Sequence, residues 1–318
     1  MAVHTKLSKN NVLDIIDNYE LGTLIKYTGI KEGIENTNYL IYTTKNKFVL
    51  TIFEERVNYS QIPFFLNLMK RTNEKGILCP LPLINKKGRM TNYFHKKKLA
   101  IFNFLKGKSK KNWSKNECFQ VGKILANFHI ANKFNPRKVK NDFGHLSLKR
   151  IFNKCKSQLN KVIPDSHKII NEEINYVISK WPSELPKGII HADFFPDNVL
   201  FSKNRITGIL DFYFSCYDFL SYDLAITINA WCFKNNKFSN DLSKNIIKGY
   251  ESVRKLQKNE KKSLNILLRG ASLRFLLTRI YDSIFVDENK FLKNKNPLEF
   301  LNILKFHIIA SKQVDYFE

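Results

Sequence analysis

Apolar and polar positions change their period near residue 110. Between residues 24 and 53 the segments LIKYTGI, Tyr39–Tyr42 and Phe48–Phe53 read as strands. They follow a short opening helix over 8–18 with Ser8 as its N-cap. A helix over 60–75 carries Ile62, Phe65, Leu66 and Met69 on one stripe and stops at Gly76. Cys79-Pro-Leu-Pro-Leu enters a further strand, Lys86–Arg89 is a hairpin turn, and Leu99–Leu105 is an apolar strand that breaks at Gly107. From Ser114 the pattern is helical. Ser114 and Glu117 form a capping box ahead of the stripe Cys118, Val121, Leu125 and Phe128, which ends at His129, a packed histidine. Further helices are predicted over 148–162, 165–181, from about 221, and near 239–257, 260–286 and 297–312. The fold class is therefore α+β. A small, mostly antiparallel sheet lobe over 1–105 precedes a larger, mainly helical lobe over 106–318.

One stretch breaks this alternation with chemistry. In GIIHADFFPDNVLFSKNRITGILDF, residues 188–212, an apolar strand runs into a polar loop, a second strand, a turn at Lys203-Asn204 and a third strand that delivers Asp211. Acids at the ends of apolar strands place carboxylates at the mouth of a buried scaffold. His191-x-Asp193-x4-Asn198 followed by Asp211 has the spacing of a kinase catalytic loop and its second metal-binding acid. Phosphoryl transfer needs an acid to accept the proton of the acceptor hydroxyl, a role for Asp193. It also needs oxygen ligands for Mg²⁺, a role for Asn198 and Asp211. A plain hairpin with turn-forming Asp and Asn is the simpler alternative, but it explains neither His191 nor an acid closing an apolar strand.

Other candidates surround this loop. Gly29, Gly33, Asn36 and Asn38 form a hairpin loop whose backbone N–H groups could cover phosphates. Phe104, next to the break at Gly107, sits where exposed backbone could bond an adenine. Asp218 and Asp223 precede a helix and read first as N-caps. Arg269, Arg274 and Arg279 interrupt an apolar helix in steps of five residues, each rotated by ~140° from the last, so they cannot share a face. A ligand carboxylate is one destination for such an arginine, and an internal acid is another.

Composition narrows the class. The chain has 318 residues, is 43% hydrophobic and contains 26 Phe, enough for two lobes with large cores. No apolar run approaches the ~20 residues of a membrane span, and the first residues lack a signal-peptide core. Five scattered cysteines without a C-x-x-C pair read as reduced thiols of a cytoplasmic protein. A net charge of +25 favours a nucleic-acid partner, but Lys and Asn are spread along the whole chain. Lys96–Lys98 and Lys106–Lys111 read as solvated loops, so neither nucleic acid nor membrane is an expected partner.

The loop His191–Asn198 with Asp211 resembles the aminoglycoside phosphotransferase-like kinases, which share a two-lobed protein-kinase-like fold. Within them the chain resembles the homoserine kinases over nearly its whole length. The likeness is carried by GIKEGIENTNYL, PFFLNLM, CPLPL, GIIHADFFPDNVLF, DFYFSCYDFLSYDLAITINAWCF, GASLRFLLTRIYD and NPLEFLNILKFH. It implies transfer of the ATP γ-phosphate to the side-chain hydroxyl of L-homoserine, on the way to threonine. Asp193 would be the base, and Asn198 and Asp211 the Mg²⁺ ligands. Choline-like or aminoglycoside-like acceptors, and a non-catalytic RNA-binding protein, are the alternatives. Many relatives place a phosphate-binding base on the strand after the glycine loop. Here that strand reads FVLTIFEER with Thr51 in its place, leaving Lys47 or Arg56 as substitutes. A zwitterionic acceptor needs a donor pair for its carboxylate, for which Arg274 and Arg279 are candidates. Asp218 or Asn229 could accept from its ammonium, and Tyr213 could shape the pocket.

Overall fold

A computed structural model describes residues 4–30, 36–54, 58–133, 139–285, 295–310 and 316–317. The chain divides into two compact units, 1–107 with 207–213, and 108–206 with 214–318. A single division at 105/106 does not anticipate that 207–213 joins the first unit.

The first unit opens with helix α1 (Lys9–Asp17), where Ser8 Oγ accepts from Asn11 N and Asn11 Oδ1 accepts from Ser8 N. Strands β1 (Leu24–Gly29), β2 (Thr37–Thr43) and β3 (Lys47–Ile52), helix α2 (Ile62–Glu74), and strands β4 (Asn92–Phe94) and β5 (Lys97–Asn103) follow. The strands form one antiparallel sheet in the order β1-β2-β3-β5-β4. Strict alternation along β2 buries Tyr39 and Ile41, and the register places Tyr39 beside Leu50 and Leu50 beside Ile101. Val12, Ile15 and Ile16 of α1 pack on this row.

Two expectations need correcting here. Cys79–Leu83 is not a strand. Pro80 and Pro82 lack the N–H donors of a ladder, so the segment meets β5 only at isolated points: Leu83 N to Ile101 O, Asn103 N to Leu81 O and Leu81 N to Asn103 Oδ1. Lys97 and Lys98 are not loop residues either. They begin β5, where Lys97 bonds the buried Glu54 and Lys98 lies over Tyr59. In the second unit Lys110 pairs with Glu117.

The second unit contains α3 (Lys115–Ala131), α4 (Leu148–Cys155), α5 (Leu159–Val162), α6 (His167–Lys180), β6 (Lys187–Ile190) and β7 (Val199–Ser202). Strand β8 (Arg205–Ile209) carries the chain into segment 207–213, where Ile209 N donates to Leu78 O. Then come β9 (Cys216–Phe219), α7 (Leu220–Trp231), β10 (Phe233–Lys234), β11 (Lys237–Phe238), α8 (Asn240–Glu251), α9 (Lys258–Phe285) and α10 (Pro297–Ala310). The helix expected over 148–162 is two helices. Leu148, Ile151, Phe152, Cys155 and Leu159 keep one register across the break, so periodicity alone cannot reveal it. Lys203-Asn204 and Asn235-Asn236 join their strands with both residues at positive φ, the geometry of two-residue type I′ turns. All five cysteines are buried, free thiols. Among the described residues no helix is long and apolar enough to cross a membrane.

Helices α3 and α8 meet backbone to backbone. A Cβ on Gly122 would lie 1.9 Å from Ile246 O, and one on Gly249 would lie 1.9 Å from Phe119 O. Neither clash falls on a movable side chain, so the helices themselves must separate. Gly122→Ala is expected to cost at least about 1–3 kcal/mol, as overpacked cores do. Urea unfolding measures the loss; an unchanged midpoint would show that the helices part at no cost.

Candidate active site

β6 and β9 pair antiparallel, with Ile189 beside Tyr217, and deliver the polar loop from buried backbone. After β6 the chain turns through Ala192 at φ 63, a left-handed conformation that costs a non-glycine residue about 1–2 kcal/mol. The fully buried carboxylate of Asp223 holds this turn. Its Oδ2 accepts from His191 N at 2.7 Å and its Oδ1 from Ala192 N at 2.8 Å. Hydrogen bonds to a charged group are worth about 1.5–3 kcal/mol each, so the grip outweighs the strain. Trp231 Nε1 adds a bond to Phe194 O at 2.8 Å.

The loop then brings Asp193 and Asn198 together. Asn198 Nδ2 donates to both Asp193 O and Asp193 Oδ2, each at 2.8 Å. With its nitrogen so committed, Asn198 keeps its amide oxygen free of protein donors among the described residues. That is the hard ligand a magnesium ion takes. Asp193 itself is partly exposed. Withdrawal from water pushes its carboxyl up to about 6, against the pull of the Arg274 and Lys295 charges.

Asp223 has a third donor. His129 of α3 bonds Asp223 Oδ2 through Nε2 at 2.9 Å and the Tyr250 hydroxyl through Nδ1 at 2.8 Å. Burial would raise the Asp223 carboxyl, but His129 and the His191 N–H hold it below the usual carboxylate range. Arg254 bonds the Tyr250 hydroxyl and grips both oxygens of Glu260. The loop is thus the end of a buried polar chain crossing α7, α3 and α8.

Other candidate residues of this unit diverge. Asp218 accepts from Asn141 Nδ2 and Phe219 N. Asn229 is buried and committed. It donates to Leu268 O and Ser272 Oγ, and its oxygen receives His307 Nε2. Burial and the Arg269 charge drive His307 down to about 3, so the ring is neutral and its Nδ1 accepts from Tyr316. Arg279 is spoken for by Glu299 at 2.6 Å and Asn296 O at 2.9 Å. These internal partners commit the Asn229 oxygen to His307 and pair the Arg279 charge with Glu299. Arg274 is buried, yet its Nη1 has no hydrogen-bond partner among the described residues.

The first unit holds the remaining candidates. Gly29 pairs with Tyr39 at the end of β1, whereas Gly33 and Arg56 lie outside the described residues. Asn36 Oδ1 accepts from Glu54 N, and Asn38 Oδ1 accepts from the buried Thr51 hydroxyl at 2.7 Å. Asn38 is thus a β2 residue, not a loop residue, and Thr51 of β3 bonds its register partner there. Lys47 lies over Tyr42 and over the partly exposed ring of Phe104. Asp211 follows β8 at φ 59. Tyr213, half-buried, stands edge-on to the buried rings of Phe53 and Phe65.

The phosphotransferase enzyme family model matches residues 26–254. The chain belongs to that family. It is 38% identical over 317 residues to homoserine kinase of Rhizobium meliloti (strain 1021), covering 99% of this chain and 97% of the relative. It is 39% identical over 309 residues to homoserine kinase of Chelativorans sp. (strain BNC1), covering 96% of each. Amicoumacin kinase has the same fold, with a TM-score of 0.72 over 98% of this chain and 95% of its own, at 14% identity. Choline kinase from Cryptosporidium parvum gives 0.69 over 96% and 97%, at 16% identity. These likenesses bear out the protein-kinase-like α+β fold expected from the sequence.

In this phosphotransferase the residue that sequence reasoning missed is Asp223. It is not an N-cap: that position belongs to Phe219, and Asp223 lies inside the first turn of α7. The available signal was an acid inside the apolar run YDLAITINAW, where an uncompensated charge is too costly to bury. Asp223→Asn keeps the shape but turns an amide N–H₂ towards one of three donors. It should cost about 3–5 kcal/mol of stability, the usual loss when a buried charge network loses a partner. Turnover should fall with it. Denaturant unfolding and kcat measured together test this, and normal values for both would show that the loop holds itself.

Proposed function

We infer that this phosphotransferase is a homoserine kinase, transferring the γ-phosphoryl group of ATP to the side-chain hydroxyl of L-homoserine. The observation that carries the reading is the end-to-end likeness to homoserine kinases at 37–39% identity. The product, O-phospho-L-homoserine, lies on the route to threonine.

In the proposed mechanism Asp193 is the proton acceptor. The acceptor hydroxyl donates to its carboxylate, the hydroxyl oxygen attacks the γ-phosphorus, ADP leaves, and the proton remains on Asp193. A carboxyl raised to about 6 suits this work, being a stronger base than an ordinary aspartate yet still ionised at neutral pH. Asn198 holds that carboxylate in one rotamer through Nδ2. Asn198 and Asp211 are the proposed ligands of Mg²⁺, which would neutralise charge on the ATP phosphates. Both offer oxygen, and the orientation of Asn198 supports the assignment. Gly29, Gly33, Asn36, Asn38 and Phe104 remain the proposed nucleotide contacts, with loop amides carrying charge that a lysine at Thr51 would otherwise meet.

A panel of homoserine, serine, threonine, choline and an aminoglycoside, assayed for ADP release, tests the assignment. Choline turnover equal to that of homoserine would overturn it. Asp193→Asn should keep the KM for ATP and lower kcat by roughly 10²–10⁴. Full activity in that variant removes Asp193 from the mechanism.

The pH dependence has a defined sign. The base must be ionised, so kcat/KM for homoserine should fall as pH drops through about 6 and level off above it. A profile flat from pH 5 to 7.5 would sink the role.

A further inference from the structure

Helix α9 carries three buried arginines, and two of them have a carboxylate partner. Arg269 forks onto Glu173 through Nε and Nη2 at 2.5 and 2.6 Å, and Arg279 pairs with Glu299 at 2.6 Å. Arg274, more deeply buried than either at 2% exposure, has no ion pair within the described residues. Aromatic rings take that place, with Phe275, Phe143 and Phe214 lying 4.8, 5.6 and 5.8 Å from the guanidinium carbon. The phenol of Tyr222 lies beside it, close enough to take a hydrogen bond from the guanidinium, and feels its charge. Ring faces attract a cation but do not satisfy N–H groups, and Nη1 is left with no acceptor. A buried charge in this condition is costly unless an anion arrives.

Its surroundings place that anion beside the proposed reaction centre. Phe275, under the guanidinium, packs at 4.8 Å on Phe195, two residues beyond Asp193 in the same loop. Arg274 is also the leading positive influence on the Asp193 carboxyl. Asp193 is nonetheless not its ion-pair partner, so Nη1 is open to a second carboxylate.

We propose that Arg274 reads the α-carboxylate of the acceptor, taking it on the Nη1 side of a guanidinium held between aromatic rings. This restricts the enzyme to alcohols that are also amino acids. The proposal rests on the homoserine reading. A planar two-donor fork suits a carboxylate, whereas choline and simple amino alcohols bring no anion and would leave Arg274 uncompensated. Rejection of such acceptors then follows from a polar group left unpaired, the strongest form of discrimination a site can apply.

The test uses homoserine and its decarboxylated counterpart, 3-aminopropan-1-ol, which keeps the hydroxyl and the ammonium. If wild-type enzyme releases no ADP with homoserine, the functional reading fails, whatever Arg274 does. If wild type handles both alcohols equally, the Arg274 proposal fails while the kinase stands. The expected result is a strong preference for homoserine that collapses by about 10²–10³ in Arg274→Met, the worth of a buried charged contact. Arg274→Lys should retain part of it through charge alone. The ratio of kcat/KM values is read, because any effect of Arg274 on Asp193 or on folding touches both acceptors and cancels. If 3-aminopropan-1-ol is not turned over, its Ki against homoserine supplies the same ratio. Equal losses with both alcohols would overturn the proposal and leave Arg274 as a positioning residue for Asp193.

Discussion

A buried carboxylate must find donors or lose its charge, and Asp223 meets that requirement with backbone from the loop His191–Asn198. Two of its three donors are the N–H groups of His191 and Ala192, and the third is His129. The constraint works in both directions. The acid stays ionised because the loop is there, and the loop keeps a left-handed alanine because the acid is there. The polar chain continues through Tyr250 and Arg254 to Glu260, so the position of Asp193 is set by the packing of helices well away from it. The close approach of α3 and α8 at Gly122 and Gly249 brings His129 within reach of Tyr250.

The same logic of compensation distinguishes residues that look alike. Three arginines on α9 share a residue type, a helix and a buried setting. Two are neutralised by glutamates from α6 and α10, and the third lies among aromatic rings. Conversely Asn229, a polar side chain in an apolar helix, is saturated by Leu268, Ser272 and His307. Structural and ligand-directed polar groups differ here in what they are paired with, not in how deeply they lie.

That difference explains which parts were legible in the sequence. Helices and strands were readable because burial on one face imposes a period, as in β2 and in the capped start of α3. The loop His191–Asn198 was readable as a candidate because its spacing follows from local chemistry. Where two proline rings stand in for donors, as at Pro80 and Pro82, an apolar run no longer means a strand. Partnerships were not readable. His191 N and Asp223 lie 32 residues apart, and Arg279 and Glu299 lie 20 apart, with nothing local to announce either bond. The difference between Arg274 and Arg279, and the role of Asp223 as loop anchor and not helix cap, therefore lie in contacts between distant parts of the chain.

The discontinuity of the first unit carries a consequence for biosynthesis. Segment 207–213 bonds to Leu78 and lays Tyr213 against Phe53 and Phe65, so the unit is incomplete when the ribosome has made only its first 107 residues. At about 5–20 residues per second, the roughly one hundred residues of intervening chain take on the order of 5–20 s to emerge. Throughout that interval the ring faces destined for Tyr213 are uncovered. The nascent protein thus has a built-in delay, during which its earliest-made sheet is open to chaperones or to a neighbouring chain before the enzyme can close its own core.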